Sequence, residues 1–317
     1  MQNKTKIQDK SIWRTIFRIA QWVIPVFICL VLYKKFFRSP TFSLSHFQQQ
    51  LKELPLQWYV LLCVCSLINW GLETKKWQLL IKTFNPLTYR KAWASVLSGV
   101  AVSQLLPYKT GEYLGRLMFV KEQHRINAGL LSIVGSYSQL LITLVFGMAG
   151  FIIVKPIDYA NHFIVSLSLL IVAGLLFYWF LPKIRFSYQW TKRIQTALTL
   201  ISRKKLLSVM SISLLRYLSF LLPYALLSWH FGLADQASLY YHFFAVSCIF
   251  FMQTVTPNFI FTDIALRLTI PVIVFSHMNP DNSTMDYVPG MIVYIFNVAF
   301  PMLTGTIIVM FSKYRTT

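Results

Sequence analysis

The sequence predicts an all-α polytopic membrane protein, with about six spanning helices and two re-entrant helical hairpins arranged as an inverted repeat. Three observations carry that reading. Hydrophobic residues make up 56% of the 317 and charged residues only 13%, where a soluble domain carries about 25% charge. Several stretches reach the roughly 20 apolar residues that a hydrocarbon core requires. Two further stretches are interrupted by proline and charge in closely similar patterns. The chain 1–317 reads as a single integral membrane domain, without a soluble stretch long enough for a catalytic domain.

The first apolar stretch, Ile16–Tyr33, follows Lys4, Lys6, Lys10 and Arg14 and so imitates a signal peptide. No small-residue cleavage site comes after it, and it reads as a retained span. Leu56–Glu73 is the second span. Ala92–Val120 is then broken at Pro107–Gly111, inside the run Leu106-Pro107-Tyr108-Lys109-Thr110-Gly111-Glu112-Tyr113-Leu114-Gly115-Arg116. Backbone freed by proline or glycine at membrane depth is tolerated only where protein or a wet cavity receives it. The basic loops on either side, Lys82–Lys91 and Lys121–Arg125, belong on one side of the membrane, so the segment is expected to enter and return.

Ala128–Val154 and Phe163–Leu181 follow as spans. Residues 182–205 carry Trp190, Ile194, Leu198 and Ile201 at helical spacing among Lys192, Arg193, Arg203 and Lys204. That pattern suits either a cytoplasmic amphipathic linker helix on the leaflet or a solvated basic loop. Leu206–Trp229 is the next span. Tyr241–Phe275 is broken at Thr256-Pro257-Asn258, and its flanks lack lysine and arginine, so it is expected to enter from the opposite face. Tyr287–Phe311 closes the series. Two full spans in place of either hairpin preserve the same parity, an alternative the sequence leaves open.

The net charge of +20 is informative through its distribution. With both termini cytoplasmic, inner loops hold 20 of the 30 lysines and arginines and outer loops hold five, as the positive-inside rule requires. The cations are scattered between spans rather than gathered on one soluble face, which argues against a nucleic-acid partner. The last five, Arg18, Lys109, Arg116, Arg216 and Arg267, lie within apolar segments. Arg18 is near enough to the inner surface to snorkel. The four cysteines read as buried small apolar side chains. His242 is expected at the interface, and neither a metal site nor a cofactor is expected.

The two interrupted segments match each other. Gln104 precedes Pro107, Thr110 restarts the chain, and Glu112 stands four residues before Arg116. Gln253 precedes Pro257, Thr262 restarts it, and Asp263 stands four residues before Arg267. Thr110 and Thr262 are candidate N-caps. An acid four residues ahead of a base shares its helix face in the favourable order. The first repeat runs 56–154 and the second 206–311, in opposite orientation, a plan in which broken helices meet at the midplane of transporters. Ionisable side chains at that depth are expensive and are retained for function by default. The candidate binding residues are therefore Glu112, Arg116, Lys109, Asp263, Arg267, Arg216 and Gln104, with Pro107, Gly111 and Pro257 as the hairpin breaks.

Glu73-Thr74-Lys75-Lys76-Trp77-Gln78-Leu79-Leu80 followed by Leu106-Pro107 to Arg116 resembles the transmembrane flippase region of bacterial lysylphosphatidylglycerol synthases and its stand-alone relatives. That family shows a basic residue and tryptophan before paired leucines, then Pro-x-x-x-Gly-Glu-x-x-x-Arg. Pro107, Gly111, Glu112 and Arg116 match it. The specific resemblance covers about 50 residues, and it departs in the second half. There Pro257-Asn258-Phe259-Ile260-Phe261-Thr262-Asp263 keeps the proline and loses every glycine of the family's turn. The aminoacyl-transfer domain of the synthases has no counterpart here.

The resemblance implies a lipid flippase-like transporter in the bacterial cytoplasmic membrane, with membrane lipids as partners and no enzymatic activity. It leaves the oligomeric state, including a homodimer, open. Alternatives are a secondary transporter of a small organic anion and a non-catalytic subunit of an envelope-lipid enzyme. In the bland reading the charge pairs only hold the hairpins together. An intramembrane enzyme is disfavoured because no metal motif, paired aspartates or serine–histidine pair stands out.

Overall fold

The structure, a computed structural model, describes residues 44–103, 110–156, 161–184, 195, 197–198, 200–233, 238–256, 263–279 and 287–311. The first span expected from the sequence, Ile16–Tyr33, lies outside them. Its regular elements are helical: α1 Leu44–Glu53, α2 Leu56–Ile81, α3 Tyr89–Ser103, α4 Gly111–Leu117, α5 Arg125–Val154, α6 Asn161–Phe180, α7 Arg203–His230, α8 Leu239–Val255, α9 Asp263–Met278, α10 Val288–Tyr294 and α11 Phe300–Phe311. Among the described residues five helical stretches are long and apolar enough to cross a membrane, beginning at Leu56, Glu122, Ile164, Arg203 and Val288.

The second span corrects the sequence reading. Hydropathy stops it at Glu73, yet α2 runs two further turns to Ile81. Lys75 to Ile81 are ordinary helix formers, and no breaker appears before Pro86. Glu73 and Lys76 therefore stand on the continuous helix, both buried in the protein. The helix is sorted as a bilayer requires. Leu56, Val60, Val64, Leu67 and Ile68 are exposed, while Ser66, Asn69, Trp70, Glu73 and Trp77 are buried.

The arms of both expected hairpins are present as α3 with α4 and α8 with α9. The break residues Gln104, Pro107, Lys109, Pro257 and Thr262 lie outside the described set. Glycine lets the first pair close. A Cβ on Gly115 would stand 2.4 Å from the Ser98 carbonyl oxygen and 2.6 Å from Gly99 Cα, and one on Gly111 would stand 2.0 Å from the Val102 carbonyl oxygen. Close backbone approach through small residues is how membrane helices gain packing contact when lipid is as apolar as leucine.

Helices from the two halves pair reciprocally. α2 packs on α7, α11 packs on α3, and α5 packs on α8. Thus the opening span of each half meets the other's opening span, and the closing span of each meets the other's entering arm. Glycine makes both exchanged contacts. A Cβ on Gly150 would lie 2.3 Å from the Phe244 carbonyl oxygen, and one on Gly305 would lie 2.0 Å from the Leu97 carbonyl oxygen.

A π-helical turn, Ile295–Ala299, separates α10 from α11. Phe300 N–H reaches back to Ile295 O, and Pro301 has no N–H to continue the ladder. The orphaned carbonyls are taken up by α2: Ser66 Oγ donates to Phe296 O at 2.8 Å and Trp70 Nε1 to Asn297 O at 2.9 Å.

In the linker, Leu198 and Ile201 are buried with Tyr178 and Leu206, and Lys205 Nζ donates to Leu80 O at the end of α2 at 2.9 Å. Residues 185–194 lie outside the description. His242, near the start of α8, is fully buried, with Nδ1 3.0 Å from Ser228 Oγ, because α8 packs that face against α7. The burial expected of the cysteines fails at one position. Cys63 is exposed on the outer face of α2, while Cys248 is buried.

Candidate functional site

α2 presents Asn69, Glu73 and Lys76 at i, i+4 and i+7, one stripe of a helix. Glu73 is 2% exposed and gathers three cations. Its Oε2 lies 2.7 Å from Lys76 Nζ and 2.8 Å from Arg216 Nη1, and its Oε1 lies 2.7 Å from Arg116 Nη2. Arg116 also pairs with Glu112 one turn earlier on α4. Arg216, reaching over from α7, donates Nε to Asn69 Oδ1 at 3.1 Å. Lys76 completes its shell with Gly135 O of α5 at 3.4 Å.

Aromatic rings and a serine fix these groups further. The Arg116 guanidinium stands 5.5 Å from the Trp77 ring centre, and that of Arg216 stands 5.3 Å from Trp70. Trp77 Nε1 donates to Ser95 Oγ, which donates to Arg116 O. Arg116 is thereby held at both backbone and head. Charges removed from water are tolerated only when paired and hydrogen-bonded, and here each buried ion touches at least one of opposite sign.

The second centre is smaller. Asp263 Oδ2 accepts from Arg267 Nε at 3.1 Å, and the guanidinium lies 4.5 Å from the Tyr294 ring centre. A shallow pocket opens at Arg267, lined by Phe220, Tyr224, Phe250, Gln253, Gly290 and Val293. Gly290 leaves room for the Tyr224 hydroxyl, which a Cβ there would meet at 2.5 Å. Arg216, Phe220 and Tyr224 recur every four residues on α7, so one helix face leads from the first centre to this pocket. The distance along that face is about 12 Å at 1.5 Å per residue.

The candidates from sequence are thus divided. Glu112, Arg116 and Arg216 come together, through a residue not among them. Asp263 and Arg267 form a separate centre joined to the first by the α7 face. Gly111 packs against Val102. Lys109, Gln104, Pro107 and Pro257 lie outside the described residues. Thr110 adopts helical backbone angles and makes no side-chain cap bond to α4, and α4 has only seven residues, so its dipole is weak.

Sequence reasoning passed over Asn69, Glu73 and Lys76. The available signal was their four- and three-residue spacing, flanked by Trp70 and Trp77, in a helix without a breaker. Offset also mattered: Glu112 and Arg116 precede Asp263 and Arg267 by 151 positions, and 151 beyond Glu73 stands Tyr224. The two halves offer a carboxylate and a phenol at equivalent places.

Fold and site together define a polytopic α-helical membrane protein with a network of ionised side chains enclosed between its halves. The chain belongs to the family described as the lysylphosphatidylglycerol synthase TM region, which matches residues 18–310. No curated protein and no solved structure matches it.

Proposed function

We propose that this protein moves a phospholipid, or a related anionic or zwitterionic lipid, between leaflets of the bacterial cytoplasmic membrane without chemical conversion. The observation that carries the reading is the linkage of the Glu73 network to the Arg267 pocket along one face of α7. A lipid head crosses hydrocarbon slowly because its phosphate must shed water. Arg216 on this α7 face and Arg267 in the pocket replace that water stepwise, and guanidinium forks match phosphate oxygens in bidentate fashion. Phe220, Tyr224 and Phe250 give the opening at Arg267 an aromatic lining.

The reciprocal packing of the halves supports an inverted repeat that rocks about the α2–α7 contact. Membership of a lipid-associated family supports a lipid cargo over a soluble one. The test is fluorescent-lipid translocation in proteoliposomes, wild type against Arg116→Gln. The expected result is a fall of about tenfold or more, the scale of one lost charge-assisted bond pair, with the protein still monodisperse in detergent. Undiminished translocation in the variant contradicts the assignment, and a variant that fails to fold supports a structural role.

A further inference from the structure

The charges around Glu73 do not balance. Among the described residues Lys76, Arg116 and Arg216 face Glu73 and Glu112 alone, which leaves one positive charge in excess, while Asp263 and Arg267 pair with each other. An uncompensated charge held away from water is costly, so the network is short of one anion.

Bonding and exposure together identify which cation a ligand can reach. Arg116 shares Nη2 between both carboxylates and keeps an unpartnered Nε, but it is only 2% exposed. Lys76 is 1% exposed and divided between Glu73 and a carbonyl. Arg216 spends Nε on Asn69 and Nη1 on Glu73, and its Nη2 meets no acceptor among the described residues. At 19% it is also the most accessible of the three. Trp70 covers one face of its guanidinium, leaving the Nη2 edge open. Arg216 stands on the α7 face that continues through Phe220 and Tyr224, two residues that line the pocket.

Resting on the transport reading above, we propose that the site selects lipids with a net negative headgroup, whose phosphate docks on the open Nη2 edge of Arg216. A zwitterionic head brings an ammonium into a place already one cation in surplus, where both carboxylates are engaged. Selection therefore comes from repulsion of the second charge as much as attraction of the first.

The test uses the full chain in phosphatidylcholine liposomes with trace acyl-labelled phosphatidylglycerol or phosphatidylethanolamine. Parallel vesicles measure uptake of radiolabelled glycerol phosphate. Phosphatidylglycerol is expected to cross about tenfold faster than phosphatidylethanolamine, the ratio that about 1.4 kcal/mol of discrimination yields. Arg216→Gln, which makes the network neutral and so should fold, is expected to bring the two rates together, and Arg216→Lys is expected to keep the preference.

Equal rates in the wild type overturn the selection while leaving lipid transport standing. A preference unchanged in Arg216→Gln overturns the assigned residue. Uptake of glycerol phosphate without lipid movement makes the cargo a solute and overturns the lipid assignment. Movement of neither lipid nor solute sinks both readings.

Discussion

At Glu73 one carboxylate faces Lys76, Arg116 and Arg216 within 2.8 Å. Replacing it with glutamine leaves buried Lys76 and Arg116 and the partly exposed Arg216 with Glu112 as their one carboxylate among the described residues. Glu73→Gln is therefore expected to lower stability by about 3–5 kcal/mol, the usual result of removing one partner of a buried ion pair. Adding Arg216→Gln to that variant should recover part of the loss, a coupling that a double-mutant cycle of thermal unfolding in detergent would read. Trp70 offers a finer probe. Trp70→Phe keeps a ring beneath Arg216 but deserts the Asn297 carbonyl, and it should cost about 1–3 kcal/mol in the same assay. At this scale the sequence revealed the ions whose partners lie one turn away, Glu112 with Arg116 and Asp263 with Arg267. It did not reveal Glu73, whose partners on α4 and α7 come together only through tertiary packing.

The membrane helices among the described residues follow from apolar length, which is why their positions were readable within a few residues. α2 is the exception, and its cause is physical. A hydropathy window penalises Glu73, Lys75 and Lys76 as though they met lipid, whereas Glu73 and Lys76 meet each other inside protein. The prolines at both expected breaks lie outside the described residues, and the glycines that let α3 and α4 approach have no hydropathy signal. Gly115→Val should prevent that approach, because its Cβ would lie 2.4 Å from a backbone oxygen. The expected cost is about 1–3 kcal/mol or more through overpacking, seen as reduced folded yield. Gly129→Ala is the matched control, since its Cβ would stand an ordinary 3.8 Å from Leu117.

For the whole molecule, the reciprocal pairing of α2 with α7, α3 with α11 and α5 with α8 reproduces what two oppositely inserted units would give. Cysteines placed singly at Gln123 and at Ser276 should label from opposite sides of sealed vesicles, Gln123 from the cytoplasmic side. Labelling of both from one side would refute the inverted arrangement. The account as a whole depends on a headgroup travelling along α7 between Arg216 and Arg267. Phe220 lies between those stations, while Leu222 is exposed on the lipid-facing side of the same helix. The most direct measurement is photocrosslinking with benzophenylalanine at position 220, or at 222, in native membranes, followed by fragmentation of the lipid adducts. The account predicts attachment to the glycerol and headgroup at 220 and to acyl chains at 222. Acyl-only adducts at both positions, or none at 220, would contradict it.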